Sequence, residues 1–246
     1  MSVSQFKDFQ KCEAATLAKL KGDWEPTSNP LALLVGNYVH SYFESNEAHQ
    51  EFITENAPSI FKKNGDERSE FVQAIEMIEA LKHDDFFNFV YQGEKEVILT
   101  GDLYGTTWKA RIDCFNRDKN YFVDLKTTRQ LDMRYWSKKY GRYVSFVEEY
   151  GYILQMGIYK QLLEQEHNNE ITPYIFAVTK ESPPDIAGIQ IHPSRYDYEY
   201  LLVEEQLPHI LRVKGGEEKP TFCGKCEYCR KAKRLRGFIE IEDLLE

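Results

Sequence analysis

Apolar residues recur every three or four positions in several long segments, which is the spacing of one face of an amphipathic helix. This spacing predicts helices over Val3–Leu20, Leu31–Phe43, Glu67–Leu81, Val144–Gln165 and Arg195–Val213. Shorter apolar segments bounded by turn residues predict strands over Glu94–Leu99, Thr106–Phe115, Tyr121–Lys126, Pro173–Thr179 and Ile186–His192. Strands placed between helices in this order predict an α/β fold in which helices flank a short mixed sheet.

Two breaks in the pattern suggest how the chain is organised. A loop rich in Pro, Ser and Asn covers Glu25–Pro30, and Gly215-Gly216 ends the last predicted helix. We therefore predict one domain over residues 1–214 and a cysteine-containing tail over residues 215–246 that packs on the same domain.

The composition favours a folded, intracellular protein. Of the 246 residues, 42% are hydrophobic and 14% are aromatic, which is enough to build a sizeable core. No apolar run approaches the roughly 20 residues that cross a bilayer, and the first residues lack the order of a secretion signal. We expect a cytoplasmic protein without a membrane partner.

The distribution of charge is more informative than its total. A net charge of −9 argues against a general nucleic-acid binder, because contacts with phosphates need Lys and Arg. Two stretches are nevertheless basic, Arg129–Arg142 and Lys225–Arg236, and the first contains Tyr135, Trp136 and Tyr140 among its cations. We predict that the first stretch lines a path for DNA, with Tyr135 or Trp136 stacked on an unpaired base. The alternative is a solvated loop.

Two neighbouring predicted strands carry Asp113 and the motif Asp124-Leu125-Lys126. Since side chains alternate along a strand, Asp124 and Lys126 share one face, and a hairpin would bring Asp113 beside them. Close carboxylates repel unless a cation lies between them, and Mg²⁺ prefers carboxylate oxygens and keeps several water molecules. Lys126 would orient such a water or stabilise charge on a phosphate. An exposed strand face with an ordinary Lys–Asp pair is the alternative.

Two helical pairs add candidate ligands to this hairpin. His40 and Glu44 lie one turn apart, and an imidazole can complete a carboxylate metal site, particularly with Mn²⁺. Gln155 and Tyr159, also four residues apart, could hold a phosphate or a base edge. A structural His and ordinary hydrogen bonds at the edge of the core are the alternatives.

In this order the segments resemble the PD-(D/E)XK nuclease superfamily, specifically its RecB-like and RecE-like branch with phage exonucleases of the exonuclease VIII type. The matching segments are Gly36-x-x-x-His40, Ile112-Asp113, Asp124-Leu125-Lys126-Thr127-Thr128 and Gln155-x-x-x-Tyr159. Ile112 stands where the signature has proline. The resemblance implies a restriction-endonuclease-like core and metal bound by His40, Asp113, Asp124 and the carbonyl of Leu125. It also implies Lys126 as the catalytic lysine, Gln155 and Tyr159 as substrate-positioning residues, and Glu96 as the candidate for an additional acid.

The same resemblance implies a DNA exonuclease. It would hydrolyse phosphodiester bonds of linear duplex DNA, exposing single-stranded DNA for recombination, with Mg²⁺ or Mn²⁺ as the cofactor. A single-strand annealing protein and a homo-oligomer are the partners that it suggests. The alternatives are a non-catalytic DNA-binding or assembly subunit with the same fold, and a structural zinc protein whose tail is the functional element.

Three closely spaced cysteines, Cys223, Cys226 and Cys229, indicate a metal site. Cys12 lies in a segment similar to the early cysteine segment of RecB-like nucleases that carry a [4Fe-4S] cluster, which implies that it is the fourth ligand. Four thiolates suit an iron–sulfur cluster or zinc, and four unmetallated thiols are the remaining alternative. We expect Cys114, beside Asp113, to be a core thiol.

Overall fold

The structure is a computed structural model that describes residues 1–27, 31–234, 237–238 and 240–241. The chain divides into two compact units, one formed by Met1–Val3 with Asn29–Glu205 and the other by Ser4–Ser28 with Gln206–Glu246. Residues 28–30 of the predicted loop and Arg236 of the second basic stretch lie outside the described residues. A domain boundary after residue 214 stays a prediction.

The helices and strands alternate in the order expected of an α/β fold. The helices are α1 (Val3–Lys11), α2 (Glu13–Leu20), α3 (Leu31–Glu44), α4 (Asn46–Ile60), α5 (Ser69–Lys82), α6 (Asp85–Val90), α7 (Phe146–Glu149), α8 (Tyr152–His167), α9 (Ser194–Gly215) and α10 (Glu227–Ala232). The strands are β1 (Glu94–Leu103), β2 (Thr106–Asn116), β3 (Tyr121–Thr128), β4 (Tyr135–Ser137), β5 (Arg142–Val144), β6 (Thr172–Thr179) and β7 (Ile186–Gln190).

A five-stranded mixed sheet forms the centre of the first unit, which confirms the predicted fold class. Its strand order is β1-β2-β3-β6-β7, and β4 and β5 pair separately as a two-stranded ribbon. Strand β3 pairs with β6 in parallel, whereas the other neighbours in the sheet are antiparallel. A parallel pair needs a long crossover connection, and α8 lies in that crossover.

Alternation along β3 directs its side chains into two layers. Val123 and Leu125 are fully buried in a cluster with residues of α3, α5 and α6. Phe122 instead lies beside Tyr159 of α8, with ring centroids 6.4 Å apart. Because a shift of one residue would exchange the two faces, the apolar residues of β3 fix which layer receives Asp124.

Two of the predicted helices are interrupted. The helix predicted over Val3–Leu20 breaks at Cys12, which is extended with φ −168° and ψ 107°. The helix predicted from Val144 breaks at Gly151, whose φ of +64° is readily adopted only by glycine. Each break has a local consequence. Cys12 lies between α1 and α2 rather than within a helix, and Gly151 directly precedes α8, the helix that carries Gln155.

The second unit groups the early helices with the C-terminal segment. His209 lies between two carboxylates, with Nε2 2.7 Å from Glu13 Oε1 and Nδ1 2.6 Å from Glu218 Oε2. The Glu13 carboxylate also accepts hydrogen bonds from the N–H and the hydroxyl of Thr221, both at 2.8 Å. Within the described part of the chain, no helix is both long enough and apolar enough to span a membrane.

Candidate active site

The site begins where the β2–β3 ladder ends. The last ladder pair joins Cys114 and Val123, so Asp113 and Asp124 are the next residues outward on the two strands. Beyond that pair, the Asp113 carboxylate accepts the N–H of Leu125 at 2.7 Å. The Asp113 carboxylate thus accepts a hydrogen bond that a backbone carbonyl would accept in a regular ladder. This hydrogen bond holds Asp113 against the motif that contains Lys126.

Lys126 and Gln155 hold the second carboxylate. Lys126 Nζ lies 2.5 Å from Asp124 Oδ2, and Gln155 Nε2 donates to Asp124 Oδ1 at 2.6 Å. Asp124 is only 2% exposed, so these contacts replace the water that an ionised carboxylate would otherwise need. The pairing of Asp124 with Lys126 agrees with the shared strand face predicted from the sequence.

A second group of ligand atoms lies around Asp113. His40 Nδ1 is 3.4 Å from Asp113 Oδ2, and one ligand atom each from His40, Glu96 and Asp113 lie within 4.8 Å of one another. We call these three residues the acid–imidazole trio. The trio contains Glu96, which the resemblance suggested as an additional acid, whereas Asp124 is held by its own partners.

Glu96 reaches the trio from a strained backbone. Its φ of +53° lies in the left-handed region, which is rare for a residue within a strand and costs about 1–3 kcal/mol. Arg111 Nε lies 2.8 Å from Glu96 Oε2, so the carboxylate keeps one cationic contact. A conformation of this cost persists where the surrounding structure requires it, as it often does at functional sites.

The charges of the site influence one another strongly. Burial opposes ionisation of Asp113, yet the His40 imidazole and the Lys126 ammonium hold its pKa below the usual range. Burial and the neighbouring Asp113 raise the pKa of Asp124, and burial with Asp113 likewise raises that of Glu96. Burial alone would lower the pKa of Lys126, but the two aspartates raise it, so Lys126 remains an ammonium.

The donor set of the trio suits a divalent cation. Two carboxylate oxygens are hard ligands of the kind that Mg²⁺ and Mn²⁺ take, and a neighbouring imidazole is compatible with Mn²⁺. A cation would also offset the repulsion that raises the pKa of Glu96. The residues present therefore fit the metal that the resemblance implies.

The site opens into a cleft of about 470 Å³. Its wall includes His40, Lys126, Arg129, Tyr150, Tyr152 and Lys180. Lys126 Nζ lies 4.6 Å from the centroid of the Tyr152 ring, and burial lowers the pKa of Lys180. Neither Tyr152 nor Lys180 was predicted from the sequence. Tyr152 could have been, because it lies three residues before Gln155, so these two residues share one face of the helix.

Four cysteines of the second unit converge as the sequence predicts. Cys12 Sγ lies 3.5 Å and Cys223 Sγ 3.8 Å from Cys229 Sγ, and all four sulfurs, including that of Cys226, lie within 4.8 Å of one another. We call this group the four-cysteine centre. The backbone N–H of Cys226 donates to Cys223 Sγ at 3.3 Å, and such bonds lower the pKa of the Cys223 thiol to about 6 despite burial.

Sulfurs that share one tetrahedral ion at about 2.3 Å lie about 3.8 Å apart. Each thiolate of a [4Fe-4S] cluster binds its own iron, which spreads the four sulfurs more widely. The observed separations therefore fit a single ion better than the cluster that the resemblance implied. Cys114 is fully buried and lies outside the centre, as expected of a core thiol.

Comparisons with known proteins place the chain in a family. The profile of a family described as a PDDEXK-like domain of unknown function (DUF3799) matches residues 2–232. A crystal structure described as that of a "putative exonuclease" from Eubacterium rectale is 36% identical and superposes with a TM-score of 0.90, covering 99% of this chain and 92% of its own. The structure of SSO0001 is 15% identical over 88% of this chain and 89% of its own, with a TM-score of 0.34 that is too low to interpret. No curated protein sequence matches the chain. With nearly its whole length matched, the chain belongs to the DUF3799 family of PDDEXK-like domains, within the PD-(D/E)XK nuclease superfamily.

Proposed function

We propose that the protein is a divalent-metal-dependent DNA exonuclease that hydrolyses phosphodiester bonds from the ends of linear duplex DNA. The observation that carries the proposal is the acid–imidazole trio beside the Lys126–Asp124 pair, of which His40 and Lys126 reach the wall of the cleft. Membership of a nuclease superfamily and similarity to the protein from Eubacterium rectale support it. An annealing protein and a homo-oligomer, which the resemblance suggests, stay predictions.

Each side chain has a role that its contacts allow. A bound divalent ion supplies Lewis acidity toward a phosphoryl oxygen and activates water for attack on phosphorus. His40, Glu96 and Asp113 would hold that ion, and Asp124 would join them by exchanging a contact with Lys126. Lys126 stays protonated, so it acts as a hydrogen-bond donor that stabilises negative charge in the transition state rather than as a base.

Gln155 positions rather than reacts in this scheme. Its amide donates to Asp124 Oδ1, which leaves Oδ2 directed toward Lys126. Tyr159 lies on the same helix near Asp124, and burial together with that carboxylate raises its pKa to about 12. The Gln155 amide thus holds Oδ1 of Asp124, and Oδ2 is the oxygen that would exchange Lys126 for the ion.

The test is digestion of linear duplex DNA in the presence of Mg²⁺ or Mn²⁺. Lys126→Ala should lower the rate about 100-fold or more, the usual cost of removing a charge-stabilising donor. Lys109→Ala is the matched control, because Lys109 is an exposed lysine on β2 outside the cleft. Digestion of linear but not covalently closed circular DNA identifies an exonuclease. DNA binding with no digestion by the parent protein would contradict the proposal and support a non-catalytic subunit.

We also propose that the four-cysteine centre binds one tetrahedral metal ion with a structural role, zinc being the ion of choice for four thiolates. The sulfur separations near 3.5–3.8 Å support a single ion. Removing a structural ion removes folding energy, so a chelator should lower the melting temperature of the protein. Elemental analysis of protein purified without air should find zinc. Iron with inorganic sulfide and a visible charge-transfer band would show a cluster and contradict this part of the proposal.

A further inference from the structure

Strand β7 lies at one edge of the five-stranded sheet, and among the described strands it pairs only with β6. Proteins usually protect such an edge with charged residues or proline, because an open edge can pair with another strand. The opposite edge strand, β1, follows this rule, since it contains Glu94, Lys95, Glu96 and Asp102. The five residues of β7, Ile-Ala-Gly-Ile-Gln, include neither a charge nor a proline. The β7 edge therefore lacks the usual protection against pairing.

Alternation along β7 decides which backbone groups face outward. The N–H of Thr179 on β6 donates to the carbonyl of Asp185 at 2.9 Å, so the residue before β7 directs its carbonyl toward β6. In an antiparallel pair such hydrogen bonds recur at every second residue. Gly188 and Gln190 lie an odd number of positions after Asp185, so their N–H and C=O groups point away from β6, and both residues are exposed. The N–H of Ile186 faces the same way and donates to Asp185 Oδ1 at 2.8 Å.

An apolar groove borders this open edge beneath α6. It has a volume of about 450 Å³, and its wall includes Phe86, Phe89, Tyr174, Phe176 and Gly188. Phe86 is 62% exposed and Phe89 is 66% exposed, which is unusual for two large rings on one short helix. A Cβ atom added to Gly188 would lie 3.4 Å from the Phe86 ring and 3.3 Å from the Phe176 ring. The glycine thus lets an exposed ring approach the edge, so open backbone groups and apolar surface lie side by side.

The two ends of α6 differ in charge. Asp85, the exposed first residue of the helix, directly precedes Phe86, the ring that lies over the middle of β7. Lys119 Nζ lies 4.8 Å from the centroid of the Phe89 ring, and Lys119 lines the groove together with Gln190 at the end of β7. A peptide with charge of one sign would match only one of these ends. A second copy of the same surface, reversed in direction, matches both.

We infer that a second copy of this chain binds at the β7 edge, through antiparallel pairing of the two β7 strands around a two-fold axis at Gly188. Each Gly188 would exchange its N–H and C=O with the other, which joins the two five-stranded sheets into one continuous sheet. The same axis sets the two α6 helices in opposite directions, so the Asp85 end of one faces the Lys119 end of the other. Such self-complementary two-fold contacts are the commonest type in homo-oligomers. The contact is independent of the nuclease proposal, because every residue in it lies outside the lining of the catalytic cleft.

Sedimentation velocity of the full chain over a range of concentrations tests the contact. The parent should pass from monomer to dimer as its concentration rises, and Phe86→Ala should raise the dissociation constant of the dimer about 30-fold or more, as loss of a central anchor does. Gln190→Pro removes an outward N–H that one copy alone does not use, so it should prevent dimerisation with little change in the melting temperature of the monomer. Gln190→Thr keeps that N–H and is the matched control, which should dimerise like the parent.

Charge reversal tests the two-fold symmetry. Asp85→Lys and Lys119→Glu should each dimerise more weakly than the parent, because like charges would then face each other. An equal mixture of the two variants should form a heterodimer, since opposite charges meet again at both ends. A parent that stays monomeric would overturn the inference, as would a dimer that Gln190→Pro leaves intact. Binding of an added extended peptide at this edge of a monomeric parent would assign the surface to another protein instead.

Discussion

Lys139 lies in the basic stretch predicted to line a DNA path, but its contacts give it a structural role. Its Nζ lies 2.6 Å from both carboxylate oxygens of Glu199, and the hydroxyl of Tyr140 donates to the same carboxylate. Glu199 is only 1% exposed, so these partners, rather than water, contact its carboxylate oxygens. Lys139→Met should therefore destabilise the protein, because it retains the aliphatic stem and removes only the ammonium.

The expected loss follows from the burial of Glu199. Breaking a buried ion pair by removing one partner costs about 3–5 kcal/mol, since the other charge is left without compensation. The Lys139 side chain is 31% exposed, so water can reach part of the vacated position, and we expect the lower end of this range. A loss of about 3 kcal/mol would lower the melting temperature of a protein of this size by about 6–12 °C.

Thermal unfolding of three variants tests this reasoning. Lys138→Met is the matched control, since Lys138 is the exposed neighbour, and it should leave the melting temperature unchanged. The double variant Lys139→Met with Glu199→Gln should recover most of the loss, because the unpaired charge is then gone. If Lys139→Met melts with the parent but binds DNA more weakly, Lys139 is a DNA contact and the structural interpretation is wrong.

The remaining predictions concern stability at three other places. His209 has a pKa raised by hydrogen bonds to its two carboxylate partners, so its contribution to stability is complete below the ordinary value of about 6.5 and is lost as the pH rises through the raised pKa. Chemical unfolding across this pH range should show a fall that His209→Gln flattens, and an unchanged slope would contradict it. Gly157→Ala should destabilise by about 1–2 kcal/mol despite better helix propensity, because the new Cβ would lie 2.8 Å from the Tyr200 ring; calorimetry showing a gain would refute this. Glu96→Gly should stabilise the metal-free protein by about 1 kcal/mol by relieving its backbone and should reduce the stabilisation that added Mn²⁺ gives. Asn120→Gly, at a turn with the same φ of +53°, is the control that should leave the response to Mn²⁺ unchanged.

Sequence patterns were sufficient to predict the five-stranded sheet, but they did not predict the β4–β5 ribbon or helix α4. The five strands of the sheet have strong apolar cores, and their predicted ranges agree with the structure within a few residues. The ribbon was missed because each of its strands has three residues, too few to show a period. Helix α4 was missed because, of its described residues, only His49 and Ile60 are buried, which leaves little apolar periodicity.

In the site, too, the sequence predicted relations within one strand but not contacts between distant segments. Alternation along β3 was enough to place Asp124 and Lys126 on one face, because that relation lies within a single strand. Glu96 of β1 approaches His40 of α3, and this approach depends on a left-handed backbone conformation that cannot be predicted from the residue type. The partner of Lys139 is 60 residues away, so a basic stretch in the sequence does not distinguish a cation that faces a ligand from one that neutralises a buried acid.

Two departures from ordinary strand rules lie close together in the first unit. The β2–β3 ladder ends before Asp113, and Glu96 on the opposite neighbour of β2 is forced to a positive φ. Both departures bring carboxylates toward His40 in partly buried surroundings, where their mutual repulsion raises the pKa of Glu96. Strain and repulsion both oppose folding, and burial of apolar surface elsewhere does not explain why they coincide. The cation proposed above would explain it, because it would convert the repulsion into coordination and would make the strained backbone the conformation that supplies the third ligand. The irregular backbone at Asp113 and Glu96 therefore marks the candidate active site as clearly as the Asp124-Leu125-Lys126 motif does.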